Sequence, residues 1–239
     1  SPTRLTALVT TADIPEVDLA QVTVAHEGWE STPSNAMEFK VYTFADVLPA
    51  HPLWRYVEGF FARGITTGCA VNPLKYCPDR AVTRAEMAVF LLRALHADDL
   101  TPYEPVDVEP DVFADVPAPG KAWMEPWIEQ FYATGITTGC AVNPLRFCPE
   151  RGVTRAEMAV FMLRAKGITP VNDPTNPFAD VPVKGKEWME PWIETFYNEG
   201  YTTGCGTSGY KLLYCPERGA NRVEMATFIV RIFEFPQLP

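Results

Sequence analysis

Gly-Ile-Thr-Thr-Gly-Cys-Ala-Val-Asn-Pro-Leu-Arg-Phe-Cys-Pro-Glu-Arg-Gly-Val-Thr-Arg-Ala-Glu-Met-Ala occupies residues 135–159. The same order of residues starts again at Gly64 and, with two residues inserted, at Gly200. Ahead of each copy stands Phe-Ala-Asp-Val, at Phe44, Phe113 and Phe178, followed by an aromatic-rich stretch. A period this long marks repeated supersecondary units, each too small to bury its own apolar face, so the copies must pack on one another. Function is therefore to be sought where copies meet.

Within the second copy the stretch Trp123 to Thr134 predicts a helix. Pro126 suits its first turn, Trp127, Ile128 and Phe131 form an apolar stripe, and Gly135 can close it in a left-handed cap. A short loop follows, carrying two cysteines and turn residues, and predicts a tight hairpin. The second helix starts at Thr83, Thr154 and Asn221, each followed three positions later by Glu86, Glu157 or Glu224, the arrangement of a capping box. Met87, Phe90, Leu91 and Ala94, with their counterparts in the other copies, recur at helical spacing and read as core rather than as a cofactor box.

The capping box explains the Thr and the Glu but not the Arg between them. Arg84, Arg155 and Arg222 occupy the first helical position, where a positive side chain opposes the helix dipole. A cation in that place in every copy implies work for the guanidinium, either an ion pair between repeats or a bidentate grip on an external carboxylate or phosphate. Both fates stay open at this level.

The cysteines form three pairs, Cys69/Cys77, Cys140/Cys148 and Cys205/Cys215, separated by seven, seven and nine residues. The repetition makes local disulfides the economical pairing, and disulfides imply an oxidising, extracytoplasmic setting. Structural zinc is the rival, but the spacing is wider than zinc sites favour and no His lies in the motif. The formal net charge of -10 and the lack of a Lys/Arg cluster argue against a nucleic-acid partner. No apolar run reaches transmembrane length and no signal peptide is visible, so the chain is expected to be processed or a fragment.

The ordered combination of Phe-x-Asp-Val, a Trp ahead of an Ile, Gly-Ile near a turn, and Thr-Arg-Ala-Glu-Met-Ala resembles the S-layer homology (SLH) domain. The likeness covers about four-fifths of the chain in the tandem three-copy form. It implies a mainly α fold, a pseudo-threefold arrangement of helix-loop-helix repeats around a central helical bundle. It also implies cell-wall glycan binding in the grooves between copies, with acidic or pyruvylated polysaccharide or peptidoglycan as partner and Arg84, Arg155 and Arg222 as principal contacts. Trp123 and Trp188 either stack on a sugar or seal the base of the first helix. The first copy departs from the pattern, offering Trp54 slightly displaced beside a two-residue deletion, and the third has Asn221-Arg222-Val223-Glu224. At most one groove is then expected to keep the full chemistry, and the cysteine pairs are an addition to the common pattern.

The expected organisation is a β segment over 1–42, SLH repeats over 43–96, 113–166 and 178–235, an acidic linker over 97–112 and a second linker over 167–177. The acidic linker, with six carboxylates and three prolines, is expected to lie solvated. Leu5 to Val9, Gln21 to Val24 and Met37 to Tyr42 read as short strands and resemble, more weakly, the closing part of an IPT/TIG-type immunoglobulin-like domain. Three strands cannot close a sandwich, so either an upstream half is missing or the strands complete themselves on another copy of the chain.

These readings lead to a noncatalytic bacterial surface module anchoring an extracellular protein to wall polysaccharide, or alternatively to a self-assembling subunit of an S-layer or filament. No enzyme, cofactor or metal is expected. His26, His51 and His96 fall outside the motif and belong to no nucleophile or metal signature. Asp46, Asp115 and Asp180 read as cap or turn formers rather than calcium ligands.

Overall fold

The computed structural model describes residues 43–98, 103–106, 111–117, 122–172 and 175–237, together with the backbone of two short strands, β1 (Leu19–Val22) and β2 (Met37–Lys40). The expected strand at Leu5 to Val9 lies outside the described residues. Among the described residues from 43 onward the structure is mainly α, with six α-helices and three small hairpins. Each repeat runs through an Asp-bearing turn, an outer helix, a disulfide hairpin and an inner helix.

The inner helices are α2 (Arg84–Leu95), α4 (Arg155–Ala165) and α6 (Arg222–Ile232). All three start in a complete capping box: Thr83, Thr154 and Asn221 accept from the backbone N–H of Glu86, Glu157 and Glu224, whose carboxylates accept from the cap residue in return. They are apolar on nearly every side, which suits elements surrounded by protein rather than helices lying on a surface.

The outer helices are α1 (Trp54–Ala62), α3 (Glu125–Ala133) and α5 (Glu190–Asn198). Where sequence predicts one helix from Trp123, the structure splits it into a 3-10 turn at Ala122–Met124 and α3. The reason lies in Pro126, which has no N–H to continue the α ladder backward, so the preceding turn tightens. Gly135 ends the helix at φ +75 as expected. Within each repeat the two helices meet through an edge-to-face phenylalanine pair: Phe60 with Phe90, Phe131 with Phe161, and Phe196 with Phe228.

The hairpins pair β3 (Ala70–Val71) with β4 (Leu74–Lys75), β5 (Ala141–Val142) with β6 (Leu145–Arg146), and β7 (Gly206–Ser208) with β8 (Lys211–Leu213). Each is bridged by its local disulfide. The cysteine after each hairpin adopts a left-handed backbone, φ 57 at Cys77, 59 at Cys148 and 57 at Cys215. That conformation is uncommon for a side-chain-bearing residue, and here a carboxylate secures it. Asp46 accepts the N–H groups of Tyr76 and Cys77 at 2.7 and 2.8 Å, and Asp115 and Asp180 do the same for Phe147/Cys148 and Tyr214/Cys215. These aspartates thus clamp a loop about thirty residues away in sequence, a longer reach than the cap or local turn that sequence suggested. Gly68, Gly139 and Gly204 are obligatory at the hairpin base, since a Cβ there would sit 2.6 Å from the carbonyl oxygen of Lys75, Arg146 or Leu213.

Contacts between repeats close into a ring. Val82 N donates to Ala220 O, Ala220 N to Val153 O, and Val153 N to Val82 O, a cycle of backbone bonds that uses one residue from each repeat. Around it, α2 packs on α3, α4 on α5 and α6 on α1, so the third repeat returns to the first. The C-terminal residues reinforce that return: Phe235 is buried and its ring lies 4.9 Å below the Arg63 guanidinium.

The first linker is less free than its composition suggests. Tyr103 stacks on His96 at 3.8 Å and presents an edge to Trp127, so one aromatic ties the acidic stretch to the second repeat. In the second linker Val171 N donates to Thr195 Oγ1.

One position in the core departs from threefold agreement. Tyr76 and Tyr214 donate their hydroxyls to the carbonyls of Arg222 and Arg155 at 2.7 and 2.8 Å, and the matching residue in the second repeat is Phe147. Phe147→Tyr should supply the missing donor to Arg84 O and stabilise the chain by about 0.5–1.5 kcal/mol, read as a higher urea midpoint at unchanged slope.

Candidate functional site

The seams between repeats are organised by the arginines. Arg84, Arg155 and Arg222 are among the largest fully buried side chains, at 1%, 1% and 2% exposure. Arg84 donates from Nε to Phe147 O at 2.8 Å, from Nη1 to Glu157 Oε1 at 3.0 Å and from Nη2 to Thr137 Oγ1 at 3.4 Å, all in the second repeat. Arg155 reaches into the third repeat in the same way, to Tyr214 O and Glu224 Oε1, both at 2.9 Å. Arg222 completes the circle on the first repeat, donating to Tyr76 O at 2.7 Å and Thr66 Oγ1 at 3.3 Å, with Nη1 3.6 Å from Glu86.

Each guanidinium also lies 4.8 to 5.4 Å from the centroids of two rings of the neighbouring repeat: Phe147 and Phe161 for Arg84, Tyr214 and Phe228 for Arg155, Tyr76 and Phe90 for Arg222. Of the two fates left open by sequence, the structure shows the ion pair between repeats, while Arg222 and Arg155 also line grooves. The dipole conflict at the first helical position is relieved by the capping Glu of the neighbouring repeat, which serves its own helix and the foreign Arg together. Outside the seam Arg80, Arg151 and Arg218 pair with the same glutamates.

These charges shift one another. Burial pushes Arg84 down to about 10 against the opposing pull of Glu157, and burial likewise lowers Arg222. For Glu86 and Glu157 burial acts upward, but hydrogen bonds from Arg80 and Arg151 and the nearby seam arginines outweigh it and hold both carboxyls below their ordinary range.

Two grooves open beside the buried arginines. The larger, about 380 Å³, is lined by Thr66, Thr67, Arg80, Glu86, Arg93 and Trp123. The smaller, about 160 Å³, lies at what is here the third seam, where α6 meets the first repeat, beside Arg155, Leu53, Thr203, Thr227 and Arg231. Trp123 and Trp188 are 58% and 54% exposed, so neither indole seals the base of its helix. Trp188 occupies the matching place in the third repeat, on a 3-10 turn that contacts α4.

Trp54 is no counterpart of these two. It is 7% exposed and its Nε1 donates to the buried Glu58 at 3.1 Å. The two-residue deletion puts Trp54 in the frame of Glu125 and Glu190, and Pro52 where the exposed indoles stand. The third seam thus lacks an exposed aromatic, which narrows it.

Sequence reading missed Arg93, Arg164 and Arg231 in the last turn of the inner helices. Each lies over an aromatic ring of the next outer helix, Trp127, Trp192 and Tyr56, at 5.1 to 5.4 Å. Each also approaches the carbonyl that follows its own repeat's glycine turn, at Ile65, Ile136 and Tyr201. Their recurrence at one position of the inner helix, just ahead of Ala94, Ala165 and Ile232, was a usable signal.

No protein-family model matches the chain. Over 131 residues, 55% of its length, it is 33% identical to a protein of Thermoanaerobacter kivui named cell surface protein. The chain spans only 16% of that relative's length. Similarity to a cell-surface protein, three intrachain disulfides and the lack, among the described residues, of any helix long and apolar enough to cross a membrane fit an extracellular or surface location.

Removing the Arg84 guanidinium strands the buried Phe147 carbonyl and leaves the partly buried Glu157 with Arg151 alone. Arg84→Ala should therefore cost about 3–5 kcal/mol in urea unfolding, whereas Arg151→Ala, which deletes the exposed partner of the same glutamate, should cost about 1 kcal/mol or less. Equal effects would reject the seam role.

Acid should undo the same contacts. A carboxyl depressed by folding lends stability that is complete above the usual 4.5 and lost as pH falls through the lowered folded value, so Glu86 and Glu157 should keep the melting temperature flat near neutrality and lower it below about pH 4. Thermal melts between pH 7 and 3 check this.

Proposed function

We propose that the chain is a noncatalytic surface module of three SLH-type repeats that holds an extracellular protein to cell-wall polysaccharide. The observation that carries this reading is the pair of half-exposed indoles, Trp123 and Trp188, each carried on a 3-10 turn, with Trp123 lining the larger of the two grooves described above. An exposed aromatic beside hydroxyl and charged groups offers a sugar ring a stacking face and hydrogen-bond partners at once. Thr67, Arg80, Glu86 and Arg93 supply those partners in the groove. The partial likeness to a cell surface protein supports the location of the role.

In this reading the seam arginines shape the groove instead of gripping the ligand, and the third seam, without an exposed indole, contributes least. Trp123→Ala combined with Trp188→Ala should keep the melting temperature within a few degrees and weaken co-sedimentation with purified wall sacculi by about tenfold or more, on the order of 1.4 kcal/mol. Undiminished retention by the double variant would reject groove recognition.

The second reading, a self-assembling subunit of an S-layer or filament, draws on β1 and β2. They pair only with each other among the described residues, Leu19 opposite Lys40 through Val22 opposite Met37, which leaves two strand edges for addition. The same sedimentation assay separates the readings, since a chain that pellets without sacculi is assembling on itself.

A further inference from the structure

The larger groove differs from the other seams in what borders one end of it. Arg93 lines that groove, and its guanidinium lies 5.1 Å from the centroid of the Trp127 ring. Tyr103 of the first linker reaches the same indole edge-on at 5.8 Å. It also stacks on His96, one turn beyond Arg93, with centroids 3.8 Å apart and rings 4° from parallel. Arg93, Trp127, Tyr103 and His96 thus form one cluster at the edge of the groove. The next linker residue adds a charge to it. Burial lowers the Arg93 guanidinium below its ordinary range, and the Glu104 carboxylate pulls the other way.

The linker is held there by little else. Among the described residues 103–106 take part in no hydrogen bond, Glu104 is exposed and Val106 is 75% exposed, so the Tyr103 ring is the anchor. The other two seams carry no such piece. Arg164 lies over Trp192 and Arg231 over Tyr56 in the same way, yet no linker ring meets either aromatic among the described residues. The second linker is fixed instead by the hydrogen bond from Val171 N to Thr195 Oγ1.

We propose that residues 103–106 form a strap that closes off the Arg93 end of the larger groove, with Tyr103 as its clasp, and that the strap must lift before a bound chain can reach Arg93. A carboxylate held beside the arginine competes with any anionic group of a ligand for the same charge. A segment that hangs on one ring and makes no backbone hydrogen bonds is also among the least costly parts of the molecule to move. The strap therefore restrains binding at the groove that has the exposed indole and leaves the third seam untouched. What the strap controls rests on the polysaccharide reading of the groove; its presence over Arg93 does not.

Tyr103→Ala and Glu104→Gln in the full chain test the two parts separately. Phenylglyoxal modification followed by peptide mass spectrometry compares Arg93 with Arg164, which holds the same helix position without a strap. Tyr103→Ala should raise the Arg93 rate by about threefold or more at an unchanged Arg164 rate. Equal Arg93 rates in parent and variant would overturn the strap. Both variants should then bind purified wall sacculi roughly two- to fivefold more tightly than the parent in co-sedimentation. Parent-like retention of both variants would overturn the restraint on binding. If neither parent nor variants bind sacculi, the polysaccharide reading fails and the restraint with it, while the arginine rates still decide whether the strap covers Arg93.

Discussion

A guanidinium buried at each seam is the constraint on which the rest of the architecture depends. Taking an arginine out of water costs several kcal/mol unless its charge and its donors are met. Here they are met by a carboxylate, a backbone carbonyl and two ring faces for each arginine, with a buried threonine hydroxyl added for Arg84 and Arg222. Every one of these partners belongs to the neighbouring repeat. A single repeat would hold an unpaired cation at the wrong end of its own helix, so the arginine makes each copy depend on the next. The backbone cycle through Val82, Ala220 and Val153 closes that dependence into a ring.

Neutralising the seam internally moves recognition outward. The groove walls are built by the arginine network, but the groups that meet solvent are Trp123, Trp188, Thr67 and the outer arginines. The grooves are also unequal, because the deletion in the first repeat turns Trp54 inward and puts Pro52 and Leu53 at the third seam. Threefold agreement in the core therefore coexists with a surface that is not threefold.

The entry corners show the same division. At the entry corners the residues that meet the outer helix differ: the Trp54 indole donates to Glu58 in the first repeat, and the Asn176 amide donates to Glu190 in the third. A shared scaffold keeps the geometry while the local donors change.

Much of this was legible in the chain. The capping boxes follow from Thr or Asn three residues before Glu, the left-handed helix ends from Gly, and the local disulfides from cysteines recurring at one motif position. These are local rules, and a few residues suffice to state them. The partner of each Arg, the inward turn of Trp54, the outward turn of Trp123 and the thirty-residue reach of Asp46 were not legible, because spacing along one repeat carries no information about which face a neighbouring repeat covers. Sequence by itself determined the repeat, its helices and its pinned loops. Only the tertiary structure decided where the charges go, since burying a guanidinium requires partners from a copy other than its own, and those partners are in place only when the copies have packed together.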